Sequence, residues 1–225
     1  AHYNTATGTC AMFDNTTGAS NTAHGYQSLA NNTTGSYNTA SGYQALYANT
    51  TGSSNNAVGF KSMCANTTGG GNNAFGTGTL NANTTGTFNV AIGPNALTAN
   101  TTSSYNTALG RNAGCSNTTG ACNVYLGYGA NGSASISNVV AIGCGASATA
   151  TNDFILGNSS HVVDIPSGKL KIAGSSGTDG YLLCTNGAGS VGWTSPQAAA
   201  GGVTCHGTGN TYAGDDAAQS ITSAA

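Results

Sequence analysis

The sequence predicts an all-β protein whose first two thirds, residues 1–157, form a parallel β-solenoid of 17-residue coils. Two observations lead to this fold. The triplet Asn-Thr-Thr occurs seven times at a constant spacing of 17 residues, and glycines keep the same spacing at positions 8, 25, 42, 59, 76, 93, 110 and 127. Seventeen residues are too few for the helix pairs of other repeat proteins, but they suit two short strands and two turns.

The residues that precede these glycines alternate as in a strand. The residue two before the glycine is Ala throughout the six coils from Ala23 to Ala108, whereas the residues three and one before it share the opposite face. We therefore expect a narrow interior filled by Ala and other small residues. The far edge of this interior is closed by Leu29, Leu46, Met63, Leu80 and Leu97.

The Asn-Thr-Thr triplet predicts one corner of each coil, because Asn at the first place and Gly at the fourth are typical of a type I turn. The corner asparagines are Asn15, Asn32, Asn49, Asn66, Asn83, Asn100 and Asn117. Each of them also satisfies the acceptor pattern for N-glycosylation, so a eukaryotic secretory route would give a row of glycans along one edge. A role in the turn alone is the simpler interpretation.

One strand face becomes apolar along the chain. The column of residues one before each glycine starts with His24 and Ser41 and then turns apolar, at Val58, Phe75, Ile92, Leu109, Leu126 and Ile142. Such a row is too apolar to leave in water over several coils. It predicts a homo-oligomer with rotational symmetry, whose subunits bury this row against one another.

Aromatic residues recur at two further places in the repeat. They are Tyr26, Tyr43 and Phe60 after a glycine, and Tyr37, Phe88 and Tyr105 before the next Asn. Tyr offers a large area and a hydroxyl at low entropic cost, which suits contacts with sugars or proteins. These six residues are candidates for a ligand surface, and the alternative is that they stack on one another and stiffen the rod.

Residues 138–157 contain the sequence Asn-Val-Val-Ala-Ile-Gly-Cys-Gly-Ala-Ser-Ala-Thr. This resembles the head repeat of trimeric autotransporter adhesins. The resemblance implies a left-handed β-roll, three chains side by side, and attachment to host matrix or cells.

The segment from Gly177 to Thr194 is similar to one found in phage and viral tail-fibre proteins, and this resemblance favours a virion fibre over a bacterial adhesin. We expect a β-rich neck over residues 158–197, with strands in 161–172. The Gly-, Ala- and Ser-rich tail of residues 198–225 is left without a predicted structure.

Composition and motifs predict neither an enzyme nor a nucleic-acid-binding protein. Only 4% of the residues are charged, and the four Lys and Arg residues are scattered, so no basic stripe is present. The four histidines and seven cysteines lack zinc-ligand spacing, and no paired carboxylates or nucleophile motif stand out. We expect no cofactor, no metal, no catalytic residue and no membrane insertion.

The sequence as a whole predicts an extracellular homotrimeric fibre or adhesin segment that mediates attachment to a host or matrix surface. Its partners would be copies of itself, a host-surface glycan or protein receptor, and other fibre proteins. Two alternatives stay open. The first is an ice-binding solenoid, which would need Thr at alternate strand positions, whereas the Thr pairs here are adjacent at a corner. The second is a structural filament without a receptor.

Overall fold

The computed structural model describes residues 2–160 and, from the rest of the chain, two strands at Leu182–Thr185 and Val191–Thr194. The chain divides into two compact units, Ala1–Val163 and Asp164–Ala225. The strands expected in residues 161–172 and the tail at 198–225 lie outside the described residues.

The first unit is a parallel β-solenoid, as the repeat predicts. Its main sheet contains ten strands: β1 (Thr5–Thr7), β2 (Thr22–His24), β3 (Thr39–Ser41), β4 (Asn56–Val58), β5 (Asn73–Phe75), β6 (Val90–Ile92), β7 (Thr107–Leu109), β8 (Val124–Leu126), β10 (Val140–Ile142) and β12 (Phe154–Leu156). Equivalent residues of successive coils pair in register, 17 residues apart as far as β8. The last two steps shorten to 16 and 14 residues.

The strands place alanine inside the solenoid, which confirms the predicted alternation. The central residue of each strand from β2 to β7 is an Ala with at most 1% of its surface exposed. Each of these strands is followed directly by a glycine with a positive φ, such as Gly42 at +135°. A Cβ at Gly42 would lie 2.5 Å from the carbonyl oxygen of Gly59, so both the conformation and the space require glycine.

The expected second strand does not form in the 17-residue coils. After Gly25, both Gln27 and Leu29 adopt left-handed conformations with φ of 52° and 51°, which turns the backbone instead of extending it. Successive coils still bond to one another there, since the Leu29 N–H donates to the Ala45 carbonyl at 3.0 Å. The predicted Leu and Met edge is fully buried. A second parallel pair appears only between the two-residue strands β9 (Asn131–Gly132) and β11 (Ser147–Ala148).

Two rows of buried asparagines run along the 17-residue coils. The first is the corner ladder, made of the seven asparagines of the Asn-Thr-Thr triplets. In it, Asn66 Nδ2 donates to Asn49 Oδ1 at 2.8 Å and to the Gly69 carbonyl at 3.0 Å. The second is the strand ladder, whose members each precede a strand: Asn4, Asn21, Asn38, Asn55, Asn72, Asn89, Asn106 and Asn123.

The two ladders meet at a shared carbonyl. In the strand ladder, Asn55 Nδ2 also donates to the Gly69 carbonyl, at 2.8 Å, while the Asn72 backbone N–H donates to Asn55 Oδ1 at 3.0 Å. Each of these buried amides therefore keeps hydrogen-bond partners, as buried polar groups require. The interior of the regular coils is held by polar bonds as well as by small apolar side chains.

The Asn-Thr-Thr corner is closed differently from the predicted type I turn. The N–H groups of Thr33, Thr34 and Gly35 all donate to the carbonyl of Thr50 in the next coil, at 2.9 to 3.3 Å. The Asn32 side chain closes the corner from inside, with its Nδ2 bonded to the Gly35 carbonyl at 2.9 Å. The corner is thus built by contacts between coils, and its asparagine is a core residue.

Six members of the corner ladder, from Asn32 to Asn117, are fully buried. Their Nδ2 atoms, the atoms to which a glycan would be attached, are used in ladder hydrogen bonds. A glycan on any of these six residues is incompatible with this packing. Only Asn15, in the first coil, keeps part of its surface exposed.

The shortened coils have a different interior. Both asparagine ladders end before residue 128, and the fully buried Val139 occupies the next strand-ladder position, where its N–H donates to Asn123 Oδ1 at 2.9 Å. Tyr125 replaces the strand alanine, and its ring fills the space beside Gly114, which lacks the Leu side chain of earlier coils. A Cβ on Gly114 would lie 2.6 Å from Tyr125 Cδ2.

In the second unit, the two described strands form an antiparallel pair. These are β13 (Leu182–Thr185) and β14 (Val191–Thr194), with Leu183 opposite Trp193. The pair lies within the segment from Gly177 to Thr194 that resembles tail-fibre proteins.

Candidate interaction surface

The outward side of the main sheet forms a continuous surface of two columns, which we call the sheet face. It consists of the residues three and one before each strand-end glycine, and parallel pairing aligns them across all ten strands. The six residues predicted to pack between subunits are adjacent in one of these columns. They are exposed in the single chain, with Phe75 42% and Leu109 45% accessible, apart from Ile142, which is half-buried.

The sheet face changes character along the rod. In the first three strands it carries Thr, His24 and Ser41. From β4 onward one column is apolar without interruption to Leu156, and from β6 onward the other column adds Val90, Val124, Val140 and Phe154. This apolar portion spans most of the solenoid. Covering it would remove a large apolar area from water, which is energetically favourable.

Charged side chains are missing from the sheet face. Residues 2–160 contain only Asp14, Lys61, Arg111 and Asp153, and none of them belongs to either column. Lys61 lies over the Phe60 ring, with its Nζ 5.6 Å from the ring centre, and Arg111 lies 6.0 Å from the centre of the Tyr128 ring. Water-exposed surfaces usually carry more charge, so the composition of this face resembles that of an interface core.

The six candidate aromatic residues flank the sheet face on its two sides. We call the residues just before each strand-ladder position the leading rim and the residues just after each strand-end glycine the trailing rim. Tyr37, Phe88 and Tyr105 stand on the leading rim, where Tyr37 is 68% exposed. Tyr26, Tyr43 and Phe60 stand on the trailing rim, and the structure therefore brings all six residues to the borders of one surface.

Stacking occupies the faces of most of these rings. Tyr26, Tyr43 and Phe60 form a stack with centres 5.3 and 5.2 Å apart and planes tilted by 15° and 14°. Phe88 and Tyr105 stack at 5.5 Å and 13°. Such offset stacking is favourable between aromatic rings. The rings therefore present mainly edges and hydroxyl groups outward.

The threonines of the Asn-Thr-Thr triplets stand at the corner, away from the sheet face. The first Thr of each triplet uses its hydroxyl inside the solenoid wall, as where Thr33 Oγ1 donates to the Thr50 carbonyl at 3.0 Å. The second Thr of each triplet is exposed and forms a single column. Thr occupies both columns of the sheet face only at Thr5 and Thr7, so no flat Thr array forms over the described strands.

The described residues contain neither a group of three His, Cys, Asp or Glu side chains suited to a metal nor a helix that could span a bilayer. Five cysteines in this part are unpaired. Cys64 and Cys115 are half-buried, and Cys10, Cys122 and Cys144 are exposed. Burial raises the pKa of the Cys64 thiol, and the charge of Lys61 acts in the opposite direction.

Comparison with family models, curated proteins and solved structures gives no match for this chain. Fold and surface therefore define its class. It is a β-solenoid repeat protein with one largely apolar, uncharged face bordered by aromatic rims.

Proposed function

We propose that this chain is a segment of a homotrimeric fibre or adhesin, which projects from a virion or a cell surface and attaches it to a host or matrix surface. The observation that carries the proposal is the apolar sheet face. It crosses seven successive strands, from β4 to β12 in the main sheet, and it stays exposed in the single chain.

A rotationally symmetric assembly can bury such a face along its whole length. Copies related by rotation about an axis parallel to the rod place equivalent coils at the same height, so each apolar residue meets its own equivalents. Residues such as Ile92 and Leu109 would then form the core of the assembly. The resemblance to trimeric adhesin head repeats favours three copies over two.

The proposed mechanism of attachment is avidity. A stiff rod that presents three copies of a weak contact holds them at a high effective concentration, which raises the overall affinity far above that of one contact. A catalytic role is not part of the proposal. The tail-fibre resemblance of residues 177–194 places a virion surface ahead of a bacterial one, and the ligand would be a host glycan or protein.

The two alternatives make different demands on the surface. Ice binding needs an ordered flat array of hydroxyl groups, whereas the flat face here carries Val, Ile, Leu and Phe along most of its length. A structural filament without a receptor shares the trimer and lacks only the ligand. Thermal hysteresis would support the first alternative, and a trimer that fails to adhere would support the second.

The assembly can be tested by placing charge on the sheet face. Ile92→Glu with Leu109→Glu would bury carboxylates between subunits, which costs several kcal/mol per group unless they are paired. We expect this variant to be monomeric and still folded. The matched control, Thr68→Glu, adds charge at an exposed corner away from the face and should leave the assembly intact.

Attachment can be tested on the same proteins. Wild type, the sheet-face variant and the Thr68→Glu control would be passed over immobilised bacterial lipopolysaccharides, capsular polysaccharides and extracellular-matrix proteins. We expect wild type and control to bind one of these surfaces with slow dissociation, and the monomeric variant to bind at least about 100-fold more weakly. Equal binding by the monomer would contradict attachment through avidity.

A further inference from the structure

We propose that the two aromatic rims are contacts between subunits, in which the leading rim of one copy packs against the trailing rim of its neighbour. This inference rests on the proposed rotational assembly and goes beyond it. It gives the six aromatic residues a partner, a second copy of this chain, in place of an external ligand.

The position of the rims leads to this pairing. The rims border the sheet face on opposite sides, so when that face points to a rotation axis, the leading side of each copy meets the trailing side of the next. Within a coil the two rim positions are six residues apart in sequence, as Tyr37 and Tyr43 are. They therefore differ in height by about a third of the coil rise of roughly 4.8 Å, and they meet at nearly the same level.

The residues on the two rims are arranged for such a meeting. In the three coils whose trailing rim carries the stacked rings, the leading rim carries Tyr37 in the middle coil and a serine in the coil on either side. Where the leading rim carries Phe88 and Tyr105, the trailing rim has no ring. The leading and trailing residues of six coils are Ser20 and Tyr26, Tyr37 and Tyr43, Ser54 and Phe60, Phe88 and Pro94, Tyr105 and Arg111, and Cys122 and Tyr128.

Tyr37 and Tyr43 are the one pair among these in which two rings would face each other. Beside strand β7, Tyr105 of one copy would face Arg111 of the next, and the guanidinium can donate a hydrogen bond to the outward Tyr105 hydroxyl. The rim rings are large, uncharged and between 43% and 68% exposed in the single chain. Their stacked arrangement leaves edges pointing outward, which suits interdigitation with a neighbouring rim.

This pairing changes which surface is left for an external ligand. If the sheet face and both rims are covered by other subunits, the six rim aromatics are removed from the surface that an external ligand can reach.

The test compares two variants, each of which adds one ring to the leading rim in a different coil. Ser54→Tyr would place a ring opposite Phe60 of the neighbour, whereas Asn138→Tyr would place one opposite Cys144. Both positions have a left-handed backbone, with φ of 60° and 58°, and native tyrosines occupy the same slot at Tyr37 and Tyr105 with φ of 61°. Neither change strains the single chain.

We expect Ser54→Tyr to weaken the trimer at least tenfold, measured as the shift of the dissociation midpoint in sedimentation velocity, and Asn138→Tyr to shift it by less than twofold. The double variant Ser54→Tyr with Phe60→Ser moves the ring from one rim to the other, so it should restore wild-type association. Thermal unfolding of each variant reports separately on the stability of the chain.

Each outcome distinguishes the two proposals. Equal effects of Ser54→Tyr and Asn138→Tyr, stronger association of Ser54→Tyr, or a double variant as weak as the single one would overturn the rim pairing while the trimer stands. A monomeric wild-type protein would overturn the assembly itself, and the rim pairing with it.

Discussion

The 17-residue coils and the shortened coils solve the same packing problem with different chemistry. Up to residue 123, a narrow interior of Ala is held by two asparagine ladders whose amides bond from coil to coil. Beyond it, the coils lose up to three residues, the ladders stop, and Tyr125 and Val139 fill the interior. A polar ladder requires an identical neighbour on either side, so it suits a strict repeat, whereas apolar packing tolerates changes in coil length.

The largest expected effect concerns the glycines of the regular coils. Gly59→Ala places a Cβ 2.5 Å from the carbonyl oxygen of Gly76 in the next coil, at a φ of +132° that an alanine rarely adopts. We expect a loss of more than about 4 kcal/mol in unfolding free energy, measured by denaturant titration.

The matched control for this change lies in the shortened region. Gly129→Ala meets no atom within 4 Å at a φ of +62°, a conformation that Gln44 and Asn112 adopt at the same place in other coils. It should cost about 1 kcal/mol. Similar losses for both variants would mean that close stacking of the coils does not set the glycine requirement.

The next effect tests how Tyr125 replaces the leucine edge. Tyr125→Ala leaves an empty space beside Gly114 and should cost about 3–4 kcal/mol. The double variant Gly114→Leu with Tyr125→Ala rebuilds the pattern of the regular coils, in which Leu97 has a φ of 49° and Gly114 has 62°. We expect it to recover most of the loss in a denaturant titration. If the double variant is less stable than Tyr125→Ala, the two residues do not compensate each other.

A smaller effect separates the buried ladder from a half-buried asparagine pair on the sheet face. Asn66→Ala removes the donor to Asn49 and Gly69 and the acceptor for Asn83, so we expect a loss of about 2–3 kcal/mol. Asn56→Ala breaks the bond to Asn73 on the half-buried sheet face and should cost less than about 1 kcal/mol. Equal losses in thermal or denaturant unfolding would count against a structural role for the ladder.

The smallest effect is on alkaline stability. Burial raises the pKa of Tyr125 to about 12, whereas the unfolded phenol ionises near pH 10. The contribution of the neutral phenol is therefore fully present below pH 10 and is lost as the pH rises toward 12. Tyr125→Phe should remove this part of the alkaline loss in unfolding titrations at pH 9 and 11.5.

The same substitution also tests the hydroxyl at neutral pH. The Tyr125 hydroxyl is the one buried side-chain polar atom of the described residues that lacks a hydrogen-bond partner. Removing it should raise stability by about 1 kcal/mol. A loss of stability in Tyr125→Phe would indicate that the hydroxyl is satisfied.

The period was sufficient to predict the stack, its register and the buried alanines, because a 17-residue repeat with alternation before each glycine has few other solutions. The outward position of Phe75 and its column follows from the same alternation. The residue types after Gly25 do not reveal that Gln27 and Leu29 adopt left-handed conformations, and for this reason the prediction of a second strand was wrong.

The asparagine ladders were missed because turn preference already explained Asn32 and its equivalents. A signal was present in the chain. A turn position also accepts Asp or Ser, whereas this corner position is Asn in seven successive coils. A ladder requires Asn because each side chain must supply both an amide donor and an amide acceptor. The pairing of Gly114 with Tyr125 could not be predicted, since each residue alone reads as an irregularity and only the stacking of adjacent coils brings them together.

Sedimentation equilibrium of the full chain at micromolar concentration tests the central claim most directly. If the apolar sheet face joins three copies, the measured mass is three times 21.9 kDa and stays constant on dilution. A stable species of 21.9 kDa with the sheet face exposed to water would contradict the trimer.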